Sequence, residues 1–204
     1  MERRMARFCT IISGRKELVM IEKSSVRYDS SRIKLEGYGL QEKETKAKDL
    51  ANYFFDATAY QALDPETVIY RVEYQDNGLS EGTPGGLYFG ITHLNPGVIG
   101  TEYFLTKGHF HATRDTGEYY FGLQGRGILM LVENEITRME KVMPGSVHYI
   151  PGNTAHRLIN TGEEILSVSA CWQSVSGHDY RSPDKMFPLR IFRDPLGQPV
   201  VKSG

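Results

Sequence analysis

Cysteine is scarce in this 204-residue chain: Cys9 and Cys171 stand far apart, and neither has a Cys-x-x-Cys neighbour. That excludes a disulfide-built scaffold, a thiolate zinc site and a dithiol redox motif, and two idle thiols point to a reducing compartment. Long apolar runs are missing too. None approaches the roughly 18 residues of a membrane-spanning helix. The run behind the N-terminal arginines, about five residues, falls short of the ~7–15 of a secretory signal core. A surplus of one charge is also absent: 24 Lys+Arg face 25 Asp+Glu, a net charge of -1. No global field then draws the chain to nucleic acid or to an anionic membrane surface. There is no internal repeat and no low-complexity linker, and the length suits one sizeable core rather than two. The expectation is one cytoplasmic domain over 1–204, with Met5 as an alternative start.

What is present is ordinary in amount, 40% hydrophobic and 24% charged residues, but ordered in pattern. Within an N-terminal extension of 1–43, VRYDSSRIKLEG (26–37) reads as two short edge strands around an Asp-Ser-Ser turn. Over 44–64, Leu50, Tyr53, Phe54, Ala57, Tyr60 and Leu63 recur at three- and four-residue spacing. That period predicts one amphipathic helix, ended by Pro65. Beyond 66 the chain reads as β. VIYRVEY (68–74), LYFGITHL (87–94), TEYFLTKGHFHA (101–112), EYYFGLQG (118–125) and GILMLVE (127–133) come first. TRMEKV (137–142), SVHYIP (146–151), HRLIN (156–160) and ILSVSACW (165–172) follow, with turn chemistry such as NPG, QGRG and PGN between strands. Many short strands at this spacing indicate a sandwich or barrel over 66–175. The proline-rich tail, 176–204, is expected to wrap it or to add an edge strand through MFPLRIF (186–192).

Chemistry concentrates in TKGHFHATRDTGEYY (106–120). Strand alternation puts His109 and His111 on one face, with Glu118 further on and Tyr120 sharing the face of Glu118. Inward imidazoles and a carboxylate are costly unless satisfied, and a divalent metal satisfies them. His156 offers a fourth ligand at the start of another strand. Three imidazoles and one carboxylate suit Fe(II), Mn(II), Ni(II) or Zn(II). The same alternation turns Lys107 away from Thr106 and toward solvent.

His-x-His, Glu118 and then Gly125, followed by Gly145, Pro151, His156 and Asn160, resemble the two signature motifs of the cupin superfamily. Two spacings depart. Six residues separate His111 from Glu118, which the hairpin RDTG (114–117) can absorb, and the turn glycine falls one place early at Gly152. More closely, TPGGLYFGITHLNPGVIGTEYFLTKGHFHA, GEYYFGLQGRG, PGSVHYIPGNTAHRLINTGEE and GHDY (177–180) resemble the cupin-type glucose-6-phosphate isomerases of archaea and some bacteria, over roughly 45–181. The resemblance implies an all-β cupin (a double-stranded β-helix, or jelly-roll barrel) with one N-terminal helix, pairing into a homodimer through an edge of the barrel. It implies one divalent metal per chain, Fe(II) first, held by His109, His111, Glu118 and His156. It also implies a sugar-phosphate substrate, with Thr92, Thr106 and the backbone at Gly108 on the phosphate and Tyr70, Tyr120 and His178 lining the sugar.

Aldose–ketose isomerisation moves hydrogen between C1 and C2. Either a base takes the C2 proton, with Glu118 the nearest carboxylate, or hydride passes directly and no carbon base is needed; the sequence leaves both routes open. One position departs from the family. Where it carries tyrosine ahead of GHDY, this chain has Trp172, which donates one N–H, accepts nothing and exchanges no phenolic proton. Two readings compete: an iron or nickel cupin dioxygenase, which uses a similar three-histidine, one-glutamate site, and a non-catalytic sugar-phosphate sensor in which Trp172 blocks turnover.

Overall fold

From Val26 to Gln173 the chain repeats one unit, a few residues rich in Val, Ile, Leu and Tyr followed by a turn of Gly, Pro, Asn or Asp. Such a pattern folds back on itself as antiparallel strands. A computed structural model describes residues 6–12, 15–21, 23–180 and 186–203, with side chains from residue 23 onward. Met5, the thiol of Cys9 and residues 181–185 of the tail lie outside the described residues.

The strands are β1 (Ala6–Ile12), β2 (Arg15–Ile21), β3 (Val26–Asp29), β4 (Lys34–Gly37), β5 (Leu40–Lys46), β6 (Val68–Gln75), β7 (Leu87–Leu94), β8 (Val98–Ile99) and β9 (Glu102–Tyr103). They continue with β10 (Glu118–Gln124), β11 (Gly127–Glu133), β12 (Ile136–Val142), β13 (Val147–Ile150), β14 (Ala155–Asn160), β15 (Leu166–Gln173), β16 (Leu189–Arg193) and β17 (Pro199–Ser203). A two-residue connection joins β11 to β12 through Asn134 and Glu135, both at positive φ (49° and 66°). Two left-handed residues give the hairpin turn whose twist matches that of its strands.

Two layers enclose the core. One is a six-stranded sheet in the order β13-β10-β15-β7-β6-β5, and the other is built on β12-β11-β14. Residues 104–109 extend the second layer without forming a continuous strand. Thr106 donates to Leu158 O at 2.9 Å, and His109 and His156 exchange backbone hydrogen bonds at 3.2 and 3.0 Å. The expected strand over 101–112 is thus reduced to β9 and a few bridges, because Gly108, at φ +66°, turns the backbone out of extended geometry. Between the layers, Ile69, Leu94, Leu129, Leu158 and Leu166 are fully or almost fully buried.

The single helix expected over 44–64 is not what forms. Residues 44–46 belong to β5, Ala47–Leu50 make one 3-10 turn, and α1 covers only Ala57–Ala62. Asn52 sits at φ +69° and breaks the run, and α1 restarts where the Asp56 carboxylate caps the Ala59 N–H at 2.9 Å. The apolar period had a real cause, since Leu50 and Phe54 are buried and Tyr53, Tyr60 and Leu63 pack on the core. It records one buried side of an irregular segment rather than one side of a helix.

The tail does supply strands. β16 pairs with β17 and β9, and Arg190 reaches inward to donate to Glu102 Oε1 at 2.9 Å and to Tyr53 O at 2.9 Å. Glu102 accepts from the Phe55 N–H at 2.7 Å through its other oxygen. This buried pair ties the tail and the irregular segment to one barrel end. Arg190→Ala strands the Glu102 charge, so it is expected to cost about 3–5 kcal/mol, read as a lowered midpoint in chemical denaturation.

Candidate metal centre and its pocket

Alternation along β10 turns Glu118 and Tyr120 inward between outward Tyr119 and Phe121. From the facing layer, the bridge between His109 and His156 sets their rings 4.4 Å apart, and His111 follows two residues on. One ligand atom from each of His109, His111, Glu118 and His156 lies within 4.8 Å of all the others.

The carbonyl of Thr116 takes His111 Nδ1 at 2.8 Å, and that of Thr154 takes His156 Nδ1 at 3.2 Å. A carbonyl only accepts, so both Nδ1 atoms carry hydrogen and both Nε2 atoms present lone pairs to the cluster. His156 Nε2 stands 2.7 Å from Glu118 Oε1, and His111 Nε2 stands 3.4 Å from it. Yet Glu118 Oε1 and His156 Nε2 are buried with no hydrogen-bond partner. Two acceptors held face to face repel unless a cation lies between them. The cluster therefore fits a divalent metal on its own geometry.

Burial alone would raise the Glu118 carboxyl. The adjoining His156 and His111 outweigh that and hold it well below the usual carboxylate range. Burial pushes His109 well below the ordinary imidazole value, with His156 and His178 adding to the shift. At Tyr120 burial, and then the Glu118 charge, raises the phenol well above its ordinary value. Burial would lower His111, but its contact with Glu118 raises it above the ordinary imidazole value. A neutral imidazole at His109, an ionised Glu118 and a protonated Tyr120 are forms that metal binding and proton donation require.

Every site residue expected from the sequence lines one pocket of about 710 Å³, open mouth included. Tyr70 and Thr92 come from β6 and β7, Trp172 from β15, and Thr106 and Gly108 from the 104–109 segment. His178 comes from the tail, which is pinned at the lip where Phe110 and Asp179 exchange backbone hydrogen bonds at 3.3 and 2.8 Å. Thr106 Oγ1 accepts the Leu158 N–H at 3.0 Å, leaving its own hydrogen free to donate. Gly108 is required as glycine, because a Cβ would come within 2.7 Å of the Phe187 ring and 2.8 Å of Arg157 Cβ. Gly90 makes room for Trp172, whose indole stands 3.2 Å from where a Cβ would lie and meets Tyr88 edge-on at 5.8 Å.

Sequence reading missed two pocket residues with functional side chains. Lys107 does not face away: it lines the pocket, its carbonyl accepts from Arg157 at 2.8 Å, and its Nζ lies 5.9 Å from the Tyr180 ring centroid. Strand alternation failed there because 104–109 is not a regular strand. Tyr180 stacks on His178 at 5.6 Å, and its place in GHDY was the available signal. Two histidines lie elsewhere and are satisfied within the protein. His93 bonds Ser167 and Glu73 at 2.9 and 3.1 Å, and His148 bonds Glu140 and Ser146 at 2.6 and 2.8 Å.

A two-layered barrel that gathers three histidines and a glutamate from facing layers at a pocket floor defines a cupin with a candidate metal centre. Comparison with known proteins narrows the class. The sequence profile of the family "Glucose-6-phosphate isomerase (GPI)" matches residues 44–191. The glucose-6-phosphate isomerase of Thermococcus kodakarensis is 40% identical over 139 residues, 67% of this chain and 72% of that one. That of Thermococcus litoralis is 34% identical over 161 residues, 78% and 83% of the two chains. Among solved structures, an oxalate decarboxylase from Lactobacillus farciminis aligns with TM-score 0.43 at 18% identity, over 54% of this chain and 30% of that one. The chain belongs to the glucose-6-phosphate isomerase family, and it is an isomerase.

His111→Ala and His156→Ala are each expected to lose bound metal, measured as metal per chain by elemental analysis, while His178→Gln keeps it. Parent stoichiometry in both alanine variants would overturn the ligand assignment.

Proposed function

We propose that the chain interconverts glucose 6-phosphate and fructose 6-phosphate, using one divalent metal held by His109, His111, Glu118 and His156. The observation that carries this reading is the unpaired couple of Glu118 Oε1 and His156 Nε2, facing a pocket whose rim offers Thr92, Thr106, Gly108 and Lys107. When bound, the metal supplies a positive charge that polarises the substrate carbonyl, worth several kcal/mol in the transition state. The Thr92 and Thr106 hydroxyls, the Gly108 N–H and the Lys107 ammonium suit a phosphate dianion at the far end. Tyr120, held protonated, is placed to donate its hydrogen to a substrate oxygen as charge develops there. Tyr70 and His178 line the sugar chain between the two ends.

Among the described residues Glu118 is the only carboxylate lining this inner pocket. A proton-abstraction route would use it as base, and a hydride route needs no carbon base. Trp172, in place of the family's tyrosine, offers one N–H and no exchangeable phenol, which leaves proton traffic to Tyr120 and His178. Fe(II) as the resident ion, cytoplasmic residence and a homodimer belong to the same reading.

In a coupled assay with defined metals, metal-replete protein is expected to turn over glucose 6-phosphate. A chelator should abolish the rate and Fe(II) or Mn(II) should restore it, with mannose 6-phosphate run alongside for selectivity. Full activity in verified apo-protein would sink the metal role. Oxygen consumption without fructose 6-phosphate would identify a dioxygenase, and a ligand-raised melting temperature without turnover a binding protein. Tyr120→Phe is expected to lower kcat about a hundredfold or more at unchanged metal content. Lys107→Gln should instead raise KM by roughly tenfold or more, from the loss of a charged hydrogen bond, with kcat nearly kept.

A further inference from the structure

The segment that carries Thr106, Lys107 and Gly108 holds one residue more than the strand it lies against. Leu105 bridges Ile159 and His109 bridges His156, so residues 106–108 run opposite only 157 and 158. Thr106 takes up Leu158, to which it is bonded through both its N–H and its Oγ1. Lys107 and Gly108 are therefore left together opposite Arg157. Two residues against one make a β-bulge, which re-aims the groups it carries. A left-handed φ of +66° at Gly108 allows it.

Arg157 stands on the far side of this segment from the pocket. Alternation along β14 puts His156 and Leu158 in the pocket lining and turns Arg157 away from it. The arginine is buried, its guanidinium 3.9 Å from the centroid of the Phe187 ring, and it donates to Lys107 O at 2.8 Å. That carbonyl and the Gly108 N–H belong to one peptide group. No cis peptide occurs among the described residues, and in a trans peptide the C=O and the N–H point in opposite directions. Drawing the carbonyl outward to Arg157 sends the N–H inward. Thr106 and His109, on either side, spend their N–H groups on β14. Gly108 is buried in the pocket wall, and among the described residues no acceptor takes its N–H.

We infer that Arg157 is a positioning residue for the phosphate end of the pocket, fixing the 107–108 peptide so that its N–H faces the substrate. The inference rests on the phosphate lying there, as proposed above. Arg157 itself touches no substrate. A guanidinium suits this place because its plane lies on an aromatic ring while its fork reaches the carbonyl. Its charge strengthens that bond and polarises the peptide, leaving the positive end of the peptide dipole toward the pocket. Without it the peptide can rotate and turn a carbonyl oxygen on the phosphate, which exchanges a donor for a repulsion.

The test uses the full, metal-replete chain. Arg157→Met keeps an apolar stem on Phe187 and removes the donor. It is expected to raise KM for glucose 6-phosphate roughly tenfold, the size of a lost hydrogen bond to a charged group, with kcat and metal per chain kept. Arg157→Lys retains a charged donor and should recover most of that loss. Phe187→Leu, which takes away only the ring beneath the guanidinium, should raise KM by a smaller factor. A readout free of turnover comes from zinc-loaded protein labelled with [15N]glycine. Its Gly108 amide signal should move on saturation with glucose 6-phosphate, and in Arg157→Met that response should be lost. Parent KM in both Arg157→Met and Phe187→Leu would overturn the inference, as would a joint loss of kcat and metal in Arg157→Met. A Gly108 amide that stays still in the parent while glucose 6-phosphate is turned over would also overturn it. Failure of the functional reading looks different, because the parent would then neither bind nor convert glucose 6-phosphate, and this inference would fall with it.

Discussion

The candidate centre turns on two acceptors that have nothing to accept from. Glu118 Oε1 and His156 Nε2 meet at 2.7 Å in a buried site, and neither can retreat. Glu118 is fixed by strand pairing on both sides, to β13 and to β15. His156 is fixed by its backbone bridge to His109 and by the Thr154 carbonyl behind its ring. An orientation that would be repulsive in an empty barrel is what a cation-binding cradle looks like, and the hydrogen bonds behind the rings exist to keep it so. The price is local instability in the metal-free chain.

Much of this was legible in the sequence because strands have a period of two. Placing His109 with His111 and Glu118 with Tyr120 needed only that alternation, and the turns between strands announced themselves by Gly, Pro and Asn. Legibility ended where the backbone left regular geometry. Asn52, at positive φ, split an apolar period that looked helical. Gly108 did the same between Thr106 and His109, so the alternation argument sent Lys107 to solvent when it lines the pocket. The tail was harder still. That Asp179 bonds to Phe110, and so sets His178 and Tyr180 over the mouth, is a pairing between distant residues that no local pattern records.

Trp172 shows how one departure is accommodated. Indole is larger than phenol, and the barrel makes room through Gly90 on the neighbouring strand and two tyrosine rings, Tyr88 and Tyr74, around it. The indole brings one N–H and no phenol to the pocket lining.

The bridge between His109 and His156 also has a meaning in time. A chain emerging from the ribosome, N-terminus first, presents His109, His111 and Glu118 well before β14 exists. At about 5–20 residues per second the three wait on the order of a few seconds for their fourth partner. Glu118 is itself unplaced until β13 and β15 have been made and pair with β10 on its two sides. The four donors therefore converge only after residue 173 has been made, and a chain stopped short of β15 has the histidines without the cradle.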